Sequence, residues 1–299
     1  MGNDQAAGTA LPAEKEIAPR SANDSAFDLL PKPVKVLALN KGAEQVRRNR
    51  EESKGDELWL ATAYDEEDPS TDDVSIYLRI ANPMPVVAEL LCAVLGRSLG
   101  LPVPEPYLVK IDAGALPSSR LLTIDRPALA FASRDVGGTS FSQLLRSGSP
   151  GAQAMLMKWE HLIPVATFDE WMANRDRNLS NIIFMSNVLW IIDHAEAFHG
   201  SARGLFGLPE LVGESASNIL ADMLVKLNAA ACAAHLESAQ TWLTSMAARV
   251  SIPDAAACAD IEQWQTPEQQ AELIDFIAQR LSLTHALLCN RLGHPQLST

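Results

Sequence analysis

Basic residues are scarce in this 299-residue chain. It carries 24 lysines and arginines against 37 aspartates and glutamates, which gives a formal net charge of −13. A chain this acidic repels the phosphates of nucleic acids and the anionic surfaces of membranes, so we expect neither among its direct partners. An acidic protein can still contain a local cluster of cationic side chains that binds phosphate groups.

Cysteines and long apolar segments are also sparse. The four cysteines are widely spaced and lack the C-x-x-C spacing of metal sites, so we expect reduced core residues in a cytoplasmic protein. No apolar run reaches membrane-spanning length, and the polar start does not look like a secretion signal. An apolar content of 47% is nevertheless enough for a sizeable core. The length of 299 residues predicts one two-lobed domain or two small ones.

Strand patterns dominate the first half of the chain and helical patterns the second. Residues 1–26, rich in small and polar residues, predict a disordered tail. The periodicity predicts strands at 34–39, 58–64, 74–81, 107–111, 121–125 and 128–133. It predicts helices at 83–100, 150–163, 165–172, 215–229, 231–249 and 266–292. This order of elements indicates an α+β fold.

The stretch from Phe168 to Phe198 organises the chain. Two short apolar runs, at 182–185 and 188–192, are separated by a Ser-Asn turn, and this pattern predicts a β-hairpin. Asn181 stands at the entrance of the hairpin and Asp193 at its exit, so we expect them close together. An amide oxygen and a carboxylate there suit Mg²⁺. Asp176, in the preceding loop, can face the same site.

These residues have the layout of a kinase active site, with Asp176 as the base and with Asn181 and Asp193 as metal ligands. The alternative is a buried hairpin with ordinary capping and turn residues. The sequence N-R-D-R-N-L-S-N followed by L-W-I-I-D-H resembles the HipA-like kinase family, which carries a D-R-x-x-x-N loop and an I-D-H metal motif. For Arg177, a phosphate contact and a strut that holds the loop are both open.

The resemblance continues upstream, in the segment A-E-L-L-C-A-V-L-G-R-S-L-G-L-P-V-P-E-P. It implies that Glu89 is the helix glutamate that pairs with a phosphate-gripping lysine of the preceding strand. This chain has Arg79 at that strand position, which keeps the charge but changes its geometry. The hinge that touches adenine through backbone groups is expected at residues Phe131, Ala132 and Ser133.

The resemblance implies a bilobal protein-kinase-like fold: a small antiparallel β lobe with one helix (27–135) that binds the nucleotide, and a larger, mainly helical lobe (136–299) with the catalytic loop and metal site. It implies an ATP- and Mg²⁺-dependent serine/threonine kinase that acts on a protein partner, with a regulatory protein partner also possible. One alternative is a pseudokinase that binds nucleotide and a partner with little or no transfer. A lipid kinase fits the acidic charge poorly.

Overall fold

The computed structural model describes residues 30–46, 56–122, 125–198 and 208–293. The predicted tail lies outside these ranges, as do most of the charged segment after Gly42 and much of the glycine-containing segment after Phe198. The strands are β1 (Lys35–Leu39), β2 (Glu44–Gln45), β3 (Glu57–Tyr64), β4 (Val74–Ile80), β5 (Pro106–Ile111), β6 (Ala128–Arg134), β7 (Thr139–Ser140), β8 (Ile182–Met185) and β9 (Val188–Ile191). The helices are α1 (Pro83–Ser98), α2 (Phe141–Arg146), α3 (Ala152–Met157), α4 (Leu162–Trp171), α5 (Leu208–Leu211), α6 (Ile219–Val225), α7 (Ala229–Ser245), α8 (Ile252–Cys258) and α9 (Pro267–Arg291).

The strands of the N-terminal part form a six-stranded sheet in the order β1-β5-β6-β4-β3-β2, and β1 also pairs with β3. The pairing of β1 with β5 is parallel, so the prediction of a purely antiparallel sheet is wrong at this strand. Parallel neighbours need a crossover connection, and the chain returns through α1 before it enters β5. The α+β content itself is confirmed.

The side chains of β4 point alternately to the apolar core of the sheet and to the cleft on its other face. Ile76, Leu78 and Ile80 are buried in an apolar cluster that the sheet forms with its own side chains. Successive side chains of a strand point to opposite faces, so Tyr77 and Arg79 project to the other side. Both line the cleft described below. The strand pattern therefore fixes which residues can meet a ligand.

Helix α1 begins as the sequence predicts, with Asn82 at the N-cap and Pro83 in the first turn. It is buried over most of its length, and it packs in the same apolar core as the helices of the C-terminal half. Part of this packing comes from α8, which the sequence analysis did not predict. An Ala-rich segment such as α8 has too weak a periodic signal to stand out.

Several predicted helices have other boundaries. The helix expected at 150–163 ends at Met157, and α4 begins at Leu162. Pro164 therefore lies in the first turn of α4, where a proline costs no intrahelical hydrogen bond, rather than interrupting a helix. The helix expected at 215–229 shortens to Ile219–Val225, with Asn218 as its cap. Helix α2 follows Ser140, which closes a capping box that we did not recognise.

The strand predicted at 121–125 is wrong for the residues that are described there. Leu121 and Leu122 lie in a bend, and Asp125 lies in a turn. The Ser119 hydroxyl oxygen accepts hydrogen bonds from the amides of Leu121 and Leu122, and these bonds curl the segment. Local side-chain bonds have replaced the ladder bonds that a strand would need.

Candidate active site

The β8–β9 hairpin brings the two predicted metal ligands together. Its turn residues Ser186 and Asn187 both have positive φ, as a two-residue type I′ turn requires. At the open end, the amide of Ile192 donates to the carbonyl of Asn181 over 3.0 Å. Asp193 follows at once, with φ +60°. Asn181 and Asp193 therefore flank the base of one hairpin, as the sequence predicts.

Arg177 holds this arrangement from behind. Its guanidinium makes a bidentate ion pair with Asp169 of α4, at 2.9 and 3.1 Å. It also donates to the carbonyls of Asn181, at 3.2 Å, and Ile192, at 2.6 Å. Its side chain is fully buried. Of the two roles left open by the sequence, these contacts fit the strut, and the buried guanidinium does not present itself to phosphate.

Asp176 lies on the exposed side of the same loop. The side-chain amide of Asn181 donates to its backbone carbonyl over 2.9 Å, and that of Asn178 donates over 3.1 Å, so the loop curls around this residue. Because the side-chain nitrogen of Asn181 already donates this hydrogen bond, its side-chain oxygen is the atom that would bind a cation. Partial burial raises the pKa of the Asp176 carboxyl, and the nearby charge of Asp193 raises it further.

Arg79 reaches across the cleft from β4 to the hairpin. It donates to Asp193 Oδ1 over 2.8 Å. Its other terminal nitrogen lies 3.5 Å from Glu89 of α1 and 3.5 Å from Asp56, the residue before β3. Burial opposes the charge of this guanidinium, but the three carboxylates outweigh that effect and raise its pKa above the ordinary value. Arg79 and Glu89 thus form the predicted pair, and Asp56 is an addition that the sequence analysis missed.

Glu89 connects α1 to the residues after the hairpin. Its second carboxylate oxygen accepts from the backbone amide of His194 over 2.9 Å and lies 3.6 Å from the His194 ring. Since His194 directly follows Asp193, this contact ties the position of the metal-ligand candidate to the helix. Glu89 is buried and so is insulated from competition by water.

A cleft of about 300 Å³ opens between the sheet and the hairpin. Its walls are largely apolar, and its charged and polar lining includes Arg79, Glu89, Asp193 and His194, together with Arg134 and Asp135. The apolar lining comes from both sides: Leu58, Ala93, Val103, Phe131, Ile183, Ile191 and Ile192. A largely apolar slot that also carries charged side chains suits a planar ring system with attached phosphates.

The predicted hinge residues lie within the sheet. Residues 131–133 lie in β6, which is paired with β4 on one side and β5 on the other, so their backbone groups face the neighbouring strands. Ala132 points into the sheet core, whereas Phe131 and Ser133 line the cleft with their side chains. The lining continues through 134–138, and β6 ends at Arg134.

Gly138 allows the segment after β6 to pass the hairpin. Its φ is +87°, and a Cβ atom there would collide with the carbonyl oxygen of Phe184. Strand β7 then pairs with β8, at Thr139 opposite Phe184. A glycine is thus required where the chain crosses from the sheet to the helical part.

The donor set fits a cation bound together with phosphates rather than a closed protein cage. Asp193 and the Asn181 oxygen offer two hard ligands, as expected for Mg²⁺ that retains water and phosphate oxygens. Within the described ranges, no group of three or more His, Cys, Asp or Glu side chains is placed to hold a metal ion. The Arg79 guanidinium occupies the space among the three nearby carboxylates, those of Asp56, Glu89 and Asp193.

Sequence reasoning did not single out two residues of this site. Asp169, the partner of Arg177, lies seven residues before Asp176 on a buried helix face, where a charged residue is itself a signal. Asp56 lies in the segment 42–57, which is dense in charges of both signs, and such a segment is ordinarily a solvated loop or helix face. Only the register of β3 with β4, which pairs Leu58 with Arg79, brings Asp56 to the guanidinium.

Comparisons with known proteins find similarity to kinases. The family model described as HipA-like kinase matches residues 77–285. Among solved structures, the chain is similar to the Helicobacter pylori proinflammatory kinase CtkA, with a TM-score of 0.51 and 13% identity over 89% of this chain and 100% of that one. A comparison with curated proteins finds no match. Among the described helices, none is both long and apolar enough to cross a membrane. Since the family model spans well over half of the chain, the protein belongs to the HipA-like kinase family.

Proposed function

We propose that the protein is an ATP- and Mg²⁺-dependent kinase that transfers the γ-phosphate to a hydroxyl group, namely a serine or threonine of a protein partner. The main support for the proposal is the hydrogen bonding at the base of the β8–β9 hairpin. There, Arg177 bonds the carbonyls of both Asn181 and Ile192, and Asn181 and Asp193 are held side by side. Ordinary turn residues would not need a buried arginine to fix their spacing.

Each residue then has a defined task. Asp176 accepts the proton of the acceptor hydroxyl, since it is exposed and precedes Asn181 in the same loop. Arg79 contacts the phosphates, and Glu89 orients it. Asn181 and Asp193 would hold Mg²⁺, which when bound offsets the charge of the phosphates. The apolar walls hold the adenine, and the chain would divide into its two lobes near Gly137.

The decisive experiment incubates the protein with γ-labelled ATP and Mg²⁺, with and without a cell lysate. We expect label on protein in the wild-type reaction and none after EDTA or with Asp193→Asn. Asp72→Asn, an exposed change of the same charge outside the cleft, is the matched control. Transfer that survives both EDTA and Asp193→Asn would contradict the proposal.

One observation favours a second candidate, a nucleotide-binding module with weak or no transfer. Arg79 is engaged by three carboxylates, so phosphate must compete for it. In that case the wild type binds Mg·ATP but labels nothing in the lysate. Calorimetry with Mg·ATP beside the labelling assay separates the two functions.

A further inference from the structure

The cleft face of the sheet carries a tyrosine beside the proposed phosphate contact. Tyr77 comes two residues before Arg79 on β4, so the two side chains project from the same face of the strand, at a spacing of roughly 7 Å. Both line the cleft, and the Tyr77 side chain is partly buried there. A ligand whose phosphates reach Arg79 therefore has Tyr77 next to the group that the phosphates are attached to.

The strand pairing leaves Tyr77 accessible from the cleft. Across the sheet, Tyr77 lies opposite Leu60 of β3 on one side and Ser133 of β6 on the other. Directly paired residues share a face of the sheet, and a serine is too small to cover a neighbouring aromatic ring. Phe131, which also lines the cleft, is only 5% exposed. Tyr77 is thus the better placed of these two rings to contact a ligand.

The opposite wall of the cleft is aliphatic. The hairpin contributes Ile183 from β8 and Ile191 from β9 to this wall. A flat ring bound between the sheet and the hairpin would have the tyrosine on one side and branched aliphatic side chains on the other. Aromatic side chains bind nucleobases in this way because every base has a flat apolar face.

The ionisation state of Tyr77 suits such a contact. Burial raises the pKa of its hydroxyl above the ordinary value, and the nearby charge of Asp135 raises it further. The side chain is therefore a neutral phenol at neutral pH, and it adds no negative charge next to the phosphates.

From this placement we infer that Tyr77 is the side chain against which the nucleobase stacks, and that it makes the cleft prefer purine over pyrimidine triphosphates. The inference rests on the proposed function, because it concerns a contact within the same cleft. The preference follows from area: a two-ring purine covers more of the tyrosine than a one-ring pyrimidine, and the stabilisation grows with the apolar area removed from water.

The test is calorimetric titration of the full chain with Mg·ATP, Mg·UTP and Mg·tripolyphosphate, of which the last lacks a base. In Tyr77→Leu we expect the affinity for Mg·ATP to fall by about 5- to 30-fold, the effect of losing one contact between a base and an aromatic ring. The affinity for Mg·tripolyphosphate should not change, and the preference for Mg·ATP over Mg·UTP should shrink. Tyr77→Phe keeps the ring and should bind all three ligands as the wild type does.

Tyr64→Leu is the matched control, since it makes the same substitution on β3 at a tyrosine that is 39% exposed and does not line the cleft. It should bind the three ligands as the wild type does. Tyr77→Val, with a β-branched side chain that suits a strand, is a second variant in case Tyr77→Leu folds poorly, and thermal melting identifies such a failure.

Unchanged or tighter binding of Mg·ATP in the Tyr77 variants that lack the ring would overturn the inference. Equal losses for all three ligands would overturn it too, because a distorted cleft weakens every ligand, whereas a lost base contact does not. If Mg·tripolyphosphate binds too weakly to measure, the ratio of the Mg·ATP and Mg·UTP affinities decides. These results leave the proposed function intact, since the wild type still binds Mg·ATP. If the wild type binds no nucleotide, the proposed function fails and this inference fails with it.

Discussion

Two buried arginines of this site, Arg177 and Arg79, occupy opposite kinds of surroundings. Arg177 has one carboxylate, that of Asp169, and two backbone carbonyls, so its charge is matched and its donors point inward. Arg79 has a single close hydrogen bond, to Asp193, and two further carboxylates at 3.5 Å. The first guanidinium is enclosed by its partners, whereas the second is shared among three carboxylates beside the cleft.

The difference shows how to tell a structural ion pair from a ligand site. In both clusters burial disfavours the charged guanidinium, and carboxylates more than compensate, so that each pKa is raised. The direction of the shift therefore does not distinguish them. The number of carboxylates and the access from the cleft do, because Arg79 lines the cleft and Arg177 does not. A charged cluster that lines a cleft is where a bound cation with phosphates would change the interactions of the guanidinium.

The largest expected effect concerns Arg177 and its enclosed ion pair. Replacing Arg177 with methionine leaves the buried Asp169 carboxylate without its ion pair, so we expect the free energy of unfolding to fall by about 3–5 kcal/mol. Urea denaturation measures this fall. Because the loss comes from an unpaired charge, the double variant Asp169→Leu with Arg177→Met should recover part of it.

Arg146, at the exposed end of α2, offers the control for the same substitution. Arg146→Met should change stability by less than about 0.5 kcal/mol. If Arg177→Met were equally mild, Arg177 would not be a strut and the contrast with Arg79 would collapse.

The next effect concerns Asp176, whose carboxyl is influenced by Asp193 of one cluster and Arg177 of the other. Asp176→Asn removes the base, so turnover should fall by roughly 100-fold or more. The residue is exposed and lies outside the lining of the cleft, so Mg·ATP affinity and melting temperature should stay near the wild-type values. Steady-state kinetics and calorimetry measure both. Near wild-type turnover would remove Asp176 from the mechanism.

The sequence predicted the parts of this site that depend on local patterns. The apolar runs around Ser186 and Asn187 indicated a hairpin, and a hairpin must bring Asn181 near Asp193. The helix start at Asn82 followed equally from capping rules. These predictions succeeded because a few adjacent residues determine the outcome.

What escaped prediction depends on pairing between distant segments. The contact of Asp56 with Arg79 requires the register of β3 against β4, which no local pattern specifies. The extent of β6, which runs to Arg134 between two neighbouring strands and so engages the backbone of Phe131 to Ser133, was also not evident from local patterns. Helix α8 is short, and its packing against α1 determines its place more than its own periodicity does.

A smaller effect separates charge from shape at Arg79. Arg79→Ala should reduce Mg·ATP affinity and transfer by about tenfold, since a charged hydrogen-bond donor to the phosphates is lost. Arg79→Lys restores a point charge that Glu89 can still pair with, so it should retain most activity or raise it. Turnover and Mg·ATP affinity of both variants provide the comparison. Activity that Arg79→Ala leaves untouched would contradict the proposed role of this arginine at the phosphates.

The smallest effect is a shift along the pH axis. Partial burial and the charge of Asp193 raise the pKa of Asp176 above the ordinary aspartate value, and the side chains of Asn181 and Asn178 and the charge of Arg177 oppose that rise. The base must be ionised, so the acid limb of kcat/KM should lie at higher pH than an ordinary aspartate gives. Asn178→Ala removes one of the opposing hydrogen bonds, so this limb should move further up in pH, while the alkaline plateau stays in place. The effect of the same carboxyl on stability runs in the opposite direction with pH. A carboxyl whose folded pKa is raised favours the folded state while it is protonated, and this contribution is lost as the pH rises through the folded pKa.

Rate profiles of wild type and Asn178→Ala, measured between pH 4 and pH 8, test the predicted shift of the acid limb. A limb that moves to lower pH in the variant would mean that Asn178 does not stabilise the ionised base.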